Sequence, residues 1–158
     1  MKQEKENAEI FGGKCQPGSG ACWGAKGDVI CDEYLIEAKY TDADSYSFSL
    51  KTWDKIENEA YRADLRIPLL QLNIKDLSLI IFNSSLIPYT SPLYTAYSGS
   101  YLPRGNSMTI KYDDCVKNID TCFKDGKLWM QRIVFAGSSK VFYMMQREDF
   151  KLFIDNVC

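Results

Sequence analysis

Histidine is absent from all 158 residues. Its absence removes Ser-His-Asp and Cys-His nucleophilic catalysis and any metal chemistry built on imidazole. Long apolar runs are missing as well, so no transmembrane helix is expected. The stretch Met1-Lys2-Gln3-Glu4-Lys5-Glu6 is charged with no apolar segment behind it, which is not the pattern of a secretory leader. A soluble, cytoplasmic protein with no membrane partner is the expectation. The six cysteines, Cys15, Cys22, Cys31, Cys115, Cys122 and Cys158, include no CxxC pair. Zinc would have to use Cys15, Cys22 and Cys31, or Cys115 and Cys122, at loose spacings, so reduced thiols used in packing are expected instead. Excess positive charge is also lacking: 19 Lys and Arg stand against 21 Asp and Glu, for a net charge of −2. Bulk electrostatic attraction to nucleic acid is therefore weak, although the charge is uneven, with Lys14 and Lys26 and no acid between Phe11 and Gly27.

What remains is a globular composition, 46% hydrophobic and 25% charged, in a chain long enough to bury a core as one domain. A short helix is expected over Gln3 to Phe11, ended by Gly12-Gly13. The glycine-rich segment Lys14 to Gly27 reads as either a flexible connector or a backbone that approaches a ligand closely. One of Ser45, Ser47 and Ser49 is placed to cap a helix running to about Ala63, with Leu50, Trp53, Ile56 and Ala60 as its buried stripe. Lys51, Lys55 and Arg62 share a neighbouring face of that helix. Two apolar strands follow, Ile67 to Ile74 and Leu77 to Phe82. A strand, a helix and a strand in sequence imply a right-handed crossover and a parallel pair.

Asn83 to Asn106 is a loop rich in Ser, Tyr, Pro and Gly, whose Tyr89, Tyr94, Tyr97 and Tyr101 serve base stacking, a dimer contact or ordinary surface packing. Beyond it, strands are expected at Ser107 to Ile110, Leu128 to Phe135 and Lys140 to Gln146. A short helix is expected near Asp114 to Ile119. A closing helix, Arg147 to Asn156, is expected to bury Phe150, Leu152, Phe153 and Val157. This last third extends the sheet or builds an interface.

Chemistry concentrates where two short strands, Val29-Ile30-Cys31 and Tyr34-Leu35-Ile36, flank the turn Asp32-Glu33. In that register Val29 faces Ile36, Ile30 faces Leu35, and Asp28 falls opposite Glu37. Lys39 follows on the same face. Like charges placed directly opposite one another destabilise a sheet unless neutralised, and a divalent cation would neutralise them. The alternative is a solvated hairpin end holding a weak Glu37–Lys39 contact.

With Asp28, the Glu37-Ala38-Lys39 triplet and the strand-helix-strand continuation, the chain resembles the PD-(D/E)xK nuclease superfamily. More narrowly, it is similar to the Holliday junction resolvases of archaea and phages. The resemblance covers roughly residues 4 to 74 and includes an early helix bearing a glutamate, the loop Gln16-Pro17-Gly18-Ser19-Gly20, Gly27-Asp28-Val29-Ile30 and Leu35-Ile36-Glu37-Ala38-Lys39. Gly27 stands where the motif name has proline.

The resemblance implies an α/β fold with a restriction-endonuclease-like core, a mixed central sheet flanked by helices, and an additional C-terminal β-rich extension. Residues 1–158 would form a single nuclease domain, with the core at about 1–82, the loop at 83–106 and the extension at 107–158. It implies Mg²⁺, with Mn²⁺ as a substitute, held by Asp28, Glu37 and a helix glutamate best matched by Glu4, for which Glu6 and Glu9 are rivals. Lys39 would position or activate water, Ser19 matches a functional loop serine, and Lys51 is the basic residue expected from the following helix. The activity implied is that of a structure-specific DNA endonuclease, a homodimer cutting four-way junctions or other branched DNA in recombination and repair. A restriction- or repair-type nuclease on the same fold, or a non-catalytic DNA-binding protein, are the alternatives.

Overall fold

The computed structural model describes residues 14–15, 29–30, 33–86, 100–101 and 105–157, with side chains over 33–86 and 105–152. The expected helix over Gln3 to Phe11, the glycine-rich segment apart from 14–15, and most of the tyrosine-rich loop lie outside the described residues.

The protein is a mixed α/β structure. One sheet runs in the order β1 (Lys14–Cys15), β2 (Val29–Ile30), β3 (Tyr34–Thr41), β5 (Ile67–Ile74), β6 (Leu77–Asn83), β10 (Val141–Gln146), β9 (Met130–Val134) and β7 (Ser100–Tyr101). Its five long strands are β3, β5, β6, β10 and β9. A separate two-stranded ribbon joins β4 (Ser45–Ser49) to β8 (Ser107–Lys111). Helices α1 (Leu50–Arg62), α2 (Tyr112–Lys124) and α3 (Arg147–Val157), with a single 3-10 turn at Ser84–Leu86, complete the described elements. Among the described residues no helix is long and apolar enough to cross a membrane.

β5 and β6 are nearly continuous apolar runs, which is what strands covered on both faces require. Leu70, Leu72 and Ile74 of β5 and Leu79 and Ile81 of β6 join one cluster with Phe48, Trp53 and Ile56. Leu69, Ile80 and Phe82 join another with Tyr34, Ile36 and Phe150. Face one is thus covered by α1 and the ribbon, face two by α3. Phe142 is the hub of face one, with ring centroids 5.0 Å from Trp53 and 5.5 Å from Phe48 in edge-to-face geometry, an arrangement that adds to area burial. Phe150 packs 5.1 Å from Phe82 on the other side.

The expected crossover is present: β3 and β5 are parallel and joined through α1. Ser49 supplies the cap, its hydroxyl accepting from the Thr52 amide at 3.1 Å. The buried face of α1 carries Trp53, Ile56 and Ala60 as expected, with Glu59 buried among them and Leu50 partly buried against the same cluster. Pro68 is tolerated because the β5–β6 ladder begins only at Leu70, so its missing donor falls beyond that pairing.

Three expectations are corrected. Ser45–Ser49 is a strand and not merely a source of caps, because Tyr46 and Phe48 alternate with serines and pair with β8. The helix expected near Asp114 to Ile119 extends over Tyr112–Lys124, with Asp113 and Asp114 in the first turn and Lys124 in the last, charges that suit its dipole. Leu152 is exposed, at 58% of its full accessibility, because α3 turns Phe150 and not Leu152 to the sheet; the side chains of Phe153 and Val157 are outside the described set. The C-terminal third extends the sheet, as expected: β10 pairs with β6 in the main sheet, while β8 completes the ribbon over face one.

Cys115 and Cys122 are free buried thiols, as expected of packing cysteines. Burial, assisted by the nearby Asp114 charge, pushes the Cys115 thiol up from 9.0 to about 12. The native state therefore keeps this proton where the unfolded chain has lost it. The contribution is fully present below pH 9.0 and is lost as pH rises towards about 12. In denaturant titrations over that window, the native chain should lose stability more steeply than Cys115→Ala. Separately, Ser49→Ala should lower the unfolding free energy by about 1 kcal/mol, whereas Ser47→Ala, on the exposed side of β4, should stay within about 0.5 kcal/mol of the parent.

Candidate functional site

Period-two alternation along β3 divides its side chains between the two faces. Glu37 is aligned with Leu70 and Lys39 with Leu72 in the parallel β3–β5 ladder. Both charged residues therefore stand on face one, beneath α1 and the ribbon, while Ile36 is in the opposite cluster. The Lys39 Nζ lies 3.2 Å from Glu37 Oε1. The carboxylate side chain is 16% exposed and the lysine side chain 37%. A sheltered acid thus sits beside an amine that reaches solvent.

The hairpin register expected from the two-residue turn is present, with Val29 opposite Ile36 and Ile30 opposite Leu35. Asp28, Glu4 and Ser19 lie outside the described residues, as do Glu6 and Glu9. Lys51 is exposed in the first turn of α1, and among the described residues no ion pair joins it to Glu37. The structure therefore brings Glu37 and Lys39 together.

Tyr46 is a neighbour that the sequence reading does not identify. β4 folds back over face one and packs Tyr46 against the cluster containing Leu70 and Leu72, the residues aligned with Glu37 and Lys39. Burial raises the pKa of its phenol; Lys39 lowers it and Glu37 raises it, so both charges are felt at the ring. The phenol consequently stays neutral at physiological pH as a potential O–H donor. The available signal was the alternation Ser45-Tyr46-Ser47-Phe48-Ser49, which has strand period and places both aromatics on one side.

The described part of this site offers one hard carboxylate oxygen donor, one amine and one neutral phenol. Among the described residues no group of three or more His, Cys, Asp or Glu side chains is gathered in a way that could hold a metal ion. The pair can bind an anion through Lys39 and donate one carboxylate to a cation. No protein-family model matches the chain, and no curated protein or solved structure matches it.

The proximity of Tyr46 to the pair has a direct spectroscopic consequence. In NMR titrations of ring-labelled tyrosine, Glu37→Gln should move the Tyr46 pKa down and Lys39→Met should move it up. Equal titration of Tyr46 in both variants and the parent would place the phenol away from the pair.

Proposed function

We propose that the chain is a Mg²⁺-dependent DNA endonuclease of the PD-(D/E)xK type, with a restriction-endonuclease-like core, that acts as a homodimer on branched DNA and above all on four-way junctions. The observation that carries this reading is the Glu37–Lys39 pair, two residues apart on one face of β3 and 3.2 Å from amine to carboxylate. It is supported by a strand order in which β2 is antiparallel to β3, α1 crosses over, β5 is parallel to β3, and β6 is antiparallel beyond it. In this reading Asp28, which lies outside the described residues, would stand across from Glu37 if the β2–β3 register continued by one residue.

The donor set fits a hard cation. Mg²⁺ takes oxygen ligands and commonly uses only one or two carboxylates together with substrate phosphate and water, so Glu37 with Asp28 suffices and Glu4 adds a third. When bound, the cation supplies Lewis-acid activation of water and neutralises charge on the scissile phosphate. Glu37 holds its carboxylate in a sheltered position, fixed between the sheet and the elements above it. Lys39 contributes a positive charge that orients the phosphate and offsets the negative charge that develops during attack. Ser19 would be the functional serine of the glycine-rich loop and Lys51 the basic residue that completes the site, and a C2 dimer would supply the two active sites that paired symmetric incisions require.

The test is cleavage of a synthetic four-way junction against a linear duplex of the same sequence, with and without Mg²⁺. Cutting of the junction that disappears with EDTA is expected. Asp28→Ala, Glu37→Ala and Lys39→Ala should each reduce the rate by at least about a hundredfold, the scale of removing a group that stabilises the transition state, with folding retained by circular dichroism. Cleavage of the duplex alone would transfer the reading to a restriction- or repair-type nuclease. Binding of the junction with no cleavage in Mg²⁺ or Mn²⁺ would establish the non-catalytic alternative.

A further inference from the structure

The ribbon has two edges with different fates. At its ends, the Leu50 amide donates to the Asn106 carbonyl at 2.9 Å and the Tyr112 amide donates to the Asp44 carbonyl at 2.9 Å. Antiparallel ladders alternate between bonded and non-bonded pairs, so the bonded pairs between those ends are Phe48 with Met108 and Tyr46 with Ile110. The backbone N–H and C=O groups of Thr109 and Lys111 consequently point away from β4. Among the described residues the sheet to which β8 belongs has two strands, so within that set these groups border an open edge.

That edge is not on a flat surface. A cleft of about 310 Å³ runs beside it, along Met108 to Lys111, with the first turns of α2 as the second wall and Trp129 and Met144 in its floor. Four consecutive strand residues line it, on the order of 13 Å of extended chain. Its mouth carries Lys111 and Lys117 against the single carboxylate of Asp114, and no described ion pair occupies either lysine.

We infer that the cleft is a peptide-docking site, in which an extended acidic segment of a partner protein adds as a strand to the open edge of β8. Main-chain hydrogen bonds to Thr109 and Lys111 supply affinity, as in strand addition generally. Alternate side chains of the segment enter the apolar floor, and its carboxylates meet Lys111 and Lys117. An open strand edge is a ready template for such pairing. The cleft supplies the apolar and charged features that would make it selective.

The experiment uses fluorescence anisotropy with the full chain and a fluorescein-labelled, capped octapeptide alternating glutamate and valine. Saturable binding is expected, weakened at least about tenfold by Lys111→Glu combined with Lys117→Glu. Thr109→Pro removes an outward donor without touching the bonds to β4, and should weaken binding about tenfold while Thr109→Val does not. N-methylation of alternate peptide amides provides the same test from the ligand side and requires no change to the protein. One phase of methylation should abolish binding and the other should preserve it. Equal binding of both phases, equal binding of a lysine–valine octapeptide, or displacement of the peptide by a nucleoside monophosphate or single-stranded oligonucleotide would overturn the proposal.

Discussion

Hiding both faces of β5 and β6 is the constraint to which the other described elements answer. Each strand presents apolar side chains to either side, so each side needs its own cover. Face two is closed by α3 through Phe150, and face one by α1 together with a two-stranded ribbon. Leucine and isoleucine side chains buried to this degree contribute roughly 1.5–3 kcal/mol each, offset by the conformational entropy of ordering them. The aromatic group around Phe142 is where the sheet, the ribbon and α1 meet.

Against that background the Glu37–Lys39 pair is a poor candidate for a purely stabilising role. It shares its face with Leu70 and Leu72, and its lysine remains more than a third exposed. Pairs of this exposure contribute at most about 1 kcal/mol once solvent screening is included. Placing charge there, between the sheet and its cover, carries a desolvation cost that an apolar pair would avoid. In the proposed function, holding an anion and a cation would give that cost a purpose.

Local pattern makes part of this architecture readable and leaves another part hidden. β5 and β6 are evident from their apolar runs, α1 from its stripe and the Ser49 cap, and the β2–β3 register from a two-residue turn; all of these are determined within a few residues. The same-face relation of Glu37 and Lys39 is legible for that reason. β4 is not, because three alternating serines before a helix look like capping candidates, and the partner that makes them a strand lies at Ser107–Lys111, far along the chain. Tyr46 is missed with it. The exposure of Leu152 has the same origin, since helical spacing identifies an apolar side of α3 but only the sheet decides which residue reaches it. The open edge of β8 and its cleft depend wholly on how distant segments meet.

The ribbon has one further consequence. α1 begins at the residue after β4 and α2 at the residue after β8, with no intervening linker, and both first amides are tied to the opposite strand. The ribbon is therefore the angular reference for both helices. A slip of one residue in its pairing would invert Tyr46 and Phe48, and a one-residue change in either strand would turn the attached helix by about 100°, carrying Trp53 or Cys115 out of the core. Length variation is thus more readily absorbed at the β9–β10 connection, where Gly137 takes a positive φ of 79°, than anywhere within these ten residues of ribbon.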